Sequence, residues 1–161
     1  MAYTISTTGM DELEKKLKLA GDAAQGVAVA SLYEGAGIVA DSVSRAVHGI
    51  ATSPFKYARN GEKRKPSPEE KALLESASKG VAKFRKNGVS VDTSVGLNKS
   101  GYGSLGSTTK PIPMIANAIN SGTSFMDKQP FFRKAVSQSR SAAISTIDSG
   151  IQKRVESILK D

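Results

Sequence analysis

NAINSGTSFMDKQPFFRKAV, residues 117–136, sets a Ser-Gly-Thr turn shortly ahead of a Gln-Pro-Phe-Phe helix start. Proline suits the first turn of a helix, where its missing N–H takes nothing from the hydrogen-bond ladder. The stretch reads as a joint that holds a long final helix against the rest of a small domain. Beyond Pro130, Phe132, Val136, Ala143, Ile147, Ile151, Val155 and Ile158 fall on one helical face as far as residue 159. Lys153, Arg154 and Lys160 suit the negative end of that helix, and Gly150 is a weak point or kink in it. Phe125, Met126, Phe131 and Phe132 crowd the turn. They read first as core packing for the final helix, with part of the patch open to sharing with a neighbouring subunit.

Upstream, residues 114–119 form a strand or a short helix; Pro111 and Pro113 before them and Gly122 after them favour the helix. Residues 98–110 are rich in Gly, Ser and Thr and read as a flexible loop or hairpin tip. Gly101, Gly103 and Gly106 match the G-x-G-x-x-G pattern literally. A dinucleotide site also needs a helix starting inside the motif, so that its amides face the pyrophosphate. The following Ser107-Thr108-Thr109-Lys110-Pro111-Ile112-Pro113 cannot supply one, and the match is rejected. Val89, Val91, Thr93, Val95 and Leu97 alternate with small or polar residues, the clearest strand in the chain.

An inserted loop and helix occupy residues 52–87. The loop carries Phe55, Lys56, Tyr57, Arg59, Lys63, Arg64 and Lys65 with no period. Such a loop is exposed and solvated, or it docks on an acidic neighbour; phosphate contact by its cations is the minority reading. Ser67, Pro68 and Glu70 make a helix start with a capping box. Leu74, Ala77, Val81 and Phe84 continue its apolar face to a stop at Asn87-Gly88.

The N-terminal third is helical. A short edge strand at residues 3–6 precedes a cap at Asp11, with Glu14 three residues on. Met10, Leu13, Leu17, Ala20, Ala24 and Val27 form one stripe. Val29, Leu32, Ala36, Val39, Val43, Ala46 and Ile50 form a second, out of phase with the first. Either the helix bends between Gly21 and Gly26, or two helices meet there. Gly35 and Gly37 are local weaknesses or mark the close approach of another backbone, and His48 caps the C-terminal end.

The 161 residues suffice for one domain, and the chain reads as a single α+β domain. Apolar residues make up 39%, with few large ones, which favours a thin core completed by neighbouring subunits. The net charge of +8 admits nucleic acid, anionic membrane or acidic protein partners. Zero cysteines remove disulfides and thiolate metal sites, and one histidine leaves neither a His-based metal site nor a Ser-His-Asp triad. No catalytic, cofactor or metal site is therefore expected. No leader and no membrane span is legible, so the expected location is the cytoplasm or an assembly made there.

Two blocks resemble the HK-97-type gene-product-ten family of tailed-phage proteins. Gly9-Met10-Asp11-Glu12-Leu13-Glu14-Lys15-Lys16-Leu17 resembles the family's strand, G-hydrophobic-D-E-L, long-helix opening. Ala116-Asn117-Ala118-Ile119-Asn120-Ser121-Gly122-Thr123-Ser124 followed by Gln129-Pro130-Phe131-Phe132-Arg133-Lys134-Ala135 resembles its "Y-A-x-x-V-E-x-G-T-S … Q-P-F-L-R-P-A" block. Asn120-Ser121 stands where the family has its glutamate, and residues 60–87 are an insertion.

The resemblance implies a virion structural subunit of the neck or tail-completion region and not an enzyme. Such a subunit forms a homo-oligomeric ring around the DNA channel beside head-tail connector and tail proteins. It touches packaged DNA non-specifically and meets no membrane. The family-motif residues are Gly122, Thr123, Pro130, Phe131 and Phe132; Lys56, Arg59, Lys63, Arg64 and Lys65 are the candidate DNA or subunit contacts. The expected architecture is long N- and C-terminal helices packed on a small antiparallel sheet, with the inserted helix and mobile loops.

Overall fold

The computed structural model describes residues 10–54, 62–77, 79–81, 83–87, 90–97, 101–105 and 108–160. The chain order is α1 (Met10–His48), α2 (Pro68–Ser76), β1 (Lys79–Val81), β2 (Arg85–Asn87), β3 (Ser90–Asp92), β4 (Val95–Leu97), β5 (Tyr102–Leu105), β6 (Thr108–Pro111), α3 (Ile112–Ser121) and α4 (Phe131–Lys160). The class is α+β, with the two long helices at its ends. The expected strand at residues 3–6 lies outside the described residues.

α1 and α4 run antiparallel along a seam of small residues. Ser42 Oγ donates to the Ala135 carbonyl at 3.1 Å, and two turns away Gly35 meets Ala143 and Ile147. Further out, the Arg154 guanidinium donates to Ser31 Oγ and Glu34. The buried face of α4 is Phe131, Ala135, Ser139, Ala143 and Gly150. This corrects part of the expected face: Ala143 is buried and Ile147 meets Gly35, whereas Ile151 and Val155, 38% and 39% exposed, flank the contact and line an apolar groove with Ala24, Val27 and Ala28 of α1. Short side chains let the helix axes approach, so Ala, Ser and Gly occupy the contact and the branched residues sit beside it. The interior of α1 likewise includes Ser31 and Gly35, which a count of apolar positions misses.

α1 is one uninterrupted helix from Met10 to His48, so no second helix begins near Gly26. Its change of face has a partner: β1, β3 and β4 lie against it as well as α4. Tyr33 meets Phe84 with ring centroids 6.5 Å apart. Gly35 and Gly37 resolve differently. A Cβ at Gly35 would overlap the Ile147 side chain and come within 3.0 Å of the Ala143 carbonyl oxygen, whereas one at Gly37 meets nothing within 4 Å. Gly37→Ala should therefore stabilise by up to about 1 kcal/mol through helix propensity. Gly35→Ala should lose that gain to overpacking of about 1–3 kcal/mol. Urea unfolding of the two variants checks the sign; equal shifts would mean that the helices are not in contact at Gly35.

Two sequence expectations fail in the middle of the chain. The inserted helix starts as expected but ends at Ser76, not Asn87; its C-cap Ala77 is extended at φ −65° and ψ 136°. Residues 79–81, 85–87, 90–92 and 95–97 pair as a hairpin instead. β1 pairs antiparallel with β4 (Lys79↔Leu97) and β2 with β3 (Arg85↔Asp92). The expected strand over 89–97 is thus two short pieces, parted at Thr93-Ser94. The register slips by one between the two ladders, since Val81 pairs with Val95 but Arg85 with Asp92. Helix spacing at Leu74, Ala77, Val81 and Phe84 was real, but Ser76, Ser78 and Gly80 weaken the helix, and pairing with β4 outweighs what is left.

β5 and β6 pair as a second hairpin, so of the two readings of 98–110 the hairpin is the one seen among the described residues. Gly103 sits where a Cβ would strike the Leu73 side chain of α2, a packing reason for a glycine in the rejected motif. The Gly101 carbonyl accepts the Ile112 N–H, which starts α3 as the expected short helix. The small sheet is in fact three separate two-stranded ladders among the described residues.

The apolar core lies at one end of the long helix pair. Val47 from the last turn of α1, Ile50 just beyond it, Leu74 from α2, Ile112, Ile115 and Ile119 from α3, Met126 and Phe131 meet there. No helix among the described residues is long and apolar enough to cross a membrane.

Candidate functional site

The joint is built around that core. α3 ends at Gly122, which has φ 75° and ψ 168°. Thr123 closes the turn reciprocally: its N–H donates to the Met126 carbonyl at 3.0 Å, and its Oγ1 accepts the Met126 N–H at 3.1 Å. Gln129 acts as a side-chain strand partner. Its Nε2 donates to the Ala51 carbonyl at 2.8 Å, its Oε1 accepts the Ala51 N–H at 2.9 Å, and its own N–H donates to the Ile119 carbonyl. The exit of α1, the end of α3 and the start of α4 are thereby tied at one residue. Asn120 Oδ1 accepts the Phe132 N–H at 3.2 Å, satisfying an orphan donor of the first turn of α4. Pro130 is exposed just before α4, Phe131 is buried and Phe132 half-buried.

The basic loop divides. Lys56 and Arg59 lie outside the described residues, and Lys63 and Lys65 are exposed. Arg64 is not a free surface cation. Its guanidinium donates to both Glu70 oxygens at 2.7 Å, with side-chain exposures of 12% and 11%. Its ring-facing carbon is 5.9 Å from the Phe125 centroid. Its main chain bridges to the joint as well: Arg64 N–H donates to the Phe125 carbonyl and Asp127 N–H to the Arg64 carbonyl, at 2.9 and 2.8 Å. Glu70 also accepts the Ser67 N–H at 2.8 Å, while Ser67 Oγ accepts the Glu70 N–H, the capping box read from the sequence. One carboxylate thus serves a helix cap and an ion pair.

Burial pushes the Glu70 carboxyl up, but the hydrogen bonds from Arg64 and the Ser67 N–H outweigh it and hold it below the ordinary 4.5. A carboxyl lowered by folding adds stability that is complete above its unfolded value and lost as pH falls through its folded value. The melting temperature should hold from neutrality down to about pH 5 and fall on further acidification. Glu70→Gln should show a lower neutral melting temperature and a shallower acid slope, by calorimetry from pH 7 to pH 3. An unchanged slope would remove Glu70 as a source of acid sensitivity.

His48 does not cap its own helix. Its Nδ1 lies 3.0 Å from Glu75 Oε1, and the carbonyl of His48 accepts from Lys71 Nζ at 2.6 Å. The cap comes from the inserted helix.

Two surfaces at this end had no local sequence signal. An open cleft of about 740 Å³ lies between the last turns of α1 and the first turns of α4. Arg45, Lys128 and Lys134 line it, all exposed, together with Ser42, Gln129 and Gln138. None of the three cations pairs with a carboxylate among the described residues. Such a cleft can hold phosphate without reading a sequence. An apolar groove of about 850 Å³ runs between the β1–β4 ladder and the α3–α4 joint, lined by Val81, Leu97, Pro113, Ala116, Phe131 and Phe132. Nearly ninety residues separate Arg45 from Lys134, so only the fold brings them together. Among the described residues, no three His, Cys, Asp or Glu side chains come together as metal ligands. The chain matches no family profile, no curated protein and no solved structure.

Proposed function

We propose that this chain is a structural subunit of a tailed-phage head-tail connection, acting in neck assembly or tail completion as a ring around the DNA channel. The observation that carries the reading is where its apolar surface lies. The main apolar cluster lies at one end, with only a narrow seam of Ala36, Ala40, Val43, Ala135 and Ala143 buried between the long helices, while Tyr33, Met114, Phe125, Ile144, Ile151 and Val155 stay 38–62% exposed. An 850 Å³ apolar groove stands open beside the joint. A subunit that completes its burial against copies and neighbours has this pattern. The joint that most resembles the phage family, with Gly122, Thr123, Pro130, Phe131 and Phe132, borders that groove through Phe131 and Phe132. In this reading the location is the virion, the partners are the adjacent connector and tail proteins, and the chain carries no catalysis.

Purified protein, alone and with those neighbouring proteins, should form rings visible by negative-stain electron microscopy, with the mass rising with concentration in sedimentation. A chain that stays monomeric under both conditions overturns the reading. The cationic cleft supports a second reading, a small basic DNA-binding protein. It predicts duplex retardation with a steep salt slope, weakened by Arg45→Gln, Lys128→Gln and Lys134→Gln, and separately by Lys63→Gln and Lys65→Gln. Absence of retardation at low salt removes it.

A further inference from the structure

The outer face of α4 carries a self-complementary stripe. At 3.6 residues per turn, Ser137, Arg140, Ile144 and Asp148 lie along one side of the helix, turned away from the buried Ala135, Ser139 and Ala143; Ile151 stands at its edge, where with Val155 it also lines an apolar groove against Ala24, Val27 and Ala28 of α1. Ile144 is 48% exposed at its centre. Arg140 and Asp148 are exposed four residues before and four residues after it, and neither has an ion-pair partner among the described residues. They are two turns apart, about 12 Å along the axis, too far to pair with each other. Ser137, Ser141 and Ser145 beside them leave a shallow groove formed by α4 alone.

We infer that this stripe binds a second copy of the chain, with two α4 helices antiparallel about a two-fold axis at Ile144. In that arrangement each Arg140 faces the Asp148 of the other copy, so two ion pairs form across one axis. Ile144 meets its equivalent. Ser137 lies opposite Ile151, a small residue against a large one at equal distances from the centre. A parallel alignment would instead set Arg140 on Arg140 and Asp148 on Asp148, which repel. Isologous contacts require that residue i meets j and j meets i, and the spacing around Ile144 meets that condition. From Ser137 to Ile151 the strip is about 21 Å long, so the contact belongs at the small end of specific interfaces. This goes beyond ring formation. A two-fold contact closes at two copies, whereas a ring needs a head-to-tail contact. The α4 stripe therefore pairs subunits, or pairs two rings, through a surface separate from the one that builds a ring.

The full chain, examined by sedimentation equilibrium, should show a dimer whose dissociation constant weakens about tenfold or more in Arg140→Glu and in Asp148→Arg. Because the pairs run between copies, mixing these two variants should restore dimers as heterodimers, and the double variant should dimerise again by itself. Circular dichroism controls for folding, which these exposed positions do not support. The chain contains no cysteine, so Ile144→Cys gives a single reporter that should cross-link to itself under mild oxidation, with Ser137→Cys cross-linking far less. A wild-type monomer at the highest soluble concentration, dimers indifferent to both charge reversals, or no rescue on mixing would each overturn the proposal. Rings that persist in the single variants leave the ring reading intact, and dimers without rings leave this one intact, so the two fail separately.

Discussion

Arg64→Ala is expected to destabilise the fold by about 3–5 kcal/mol, the range for removing one partner of a largely buried ion pair. The loss has three sources. Glu70 would keep its charge in a site where it is only 11% exposed, with one of its two strong donors gone. The capping box of α2 depends on the same carboxylate, so the helix start loosens with it. The cation over Phe125 disappears from the edge of the joint. Arg64→Lys should fall between wild type and alanine, because an ammonium cannot reach both Glu70 oxygens as the planar fork does. Adding Glu70→Gln to Arg64→Ala should be less than additive, since it removes the stranded charge. Urea unfolding of the four proteins measures the coupling. A loss under about 1 kcal/mol, the level of an exposed pair, would mean that Arg64 is a surface cation after all.

Gly122→Ala is the second large effect. At φ 75° and ψ 168° the backbone sits in a region that only glycine occupies easily, so a side chain adds about 1–3 kcal/mol of strain. A Cβ there would also lie 3.0–3.2 Å from the Cβ, N and Cα of Lys128, and backbone cannot swing aside as a side-chain tip can. The consequence reaches past local stability. The angle at Gly122 aims the chain at Thr123 and Gln129, and Gln129 ties α1, α3 and α4 together. Gly122→Ala should therefore lower the unfolding midpoint and loosen the Ala51–Gln129 pairing, seen as faster amide exchange at Ala51. A variant with an unchanged midpoint would show that the turn tolerates another conformation.

The helix starts and the turn at the joint were legible because their signals are local. Ser67, Pro68 and Glu70 announce α2 within four residues, since a capping box is a short-range hydrogen-bond exchange. Pro130 and Gly122 bracket the joint through their own φ restrictions. The centre was not legible. The spacing of Leu74, Ala77, Val81 and Phe84 fits a helix, but Lys79–Val81 is a strand because Val95–Leu97 lies beside it. Nothing within the segment itself encodes that partner.

The candidate sites divide in the same way. The motif residues Gly122, Thr123, Pro130, Phe131 and Phe132 could be named from sequence, because turn and helix-start chemistry is written in neighbouring residues. Arg64 could be counted as a cation but not as a buried one, since its state depends on Glu70 and Phe125 closing over it. Arg45, Lys128 and Lys134 become one cleft only when the end of α1 is laid against the start of α4. Composition and local pattern were sufficient for the class and for the helix starts at Pro68 and Phe131, because propensity and capping act over a few residues. Which of those residues are buried, and so which cations and which apolar faces remain for a partner, depends on contacts between segments far apart in the chain: burial belongs to the packed fold, not to the residue.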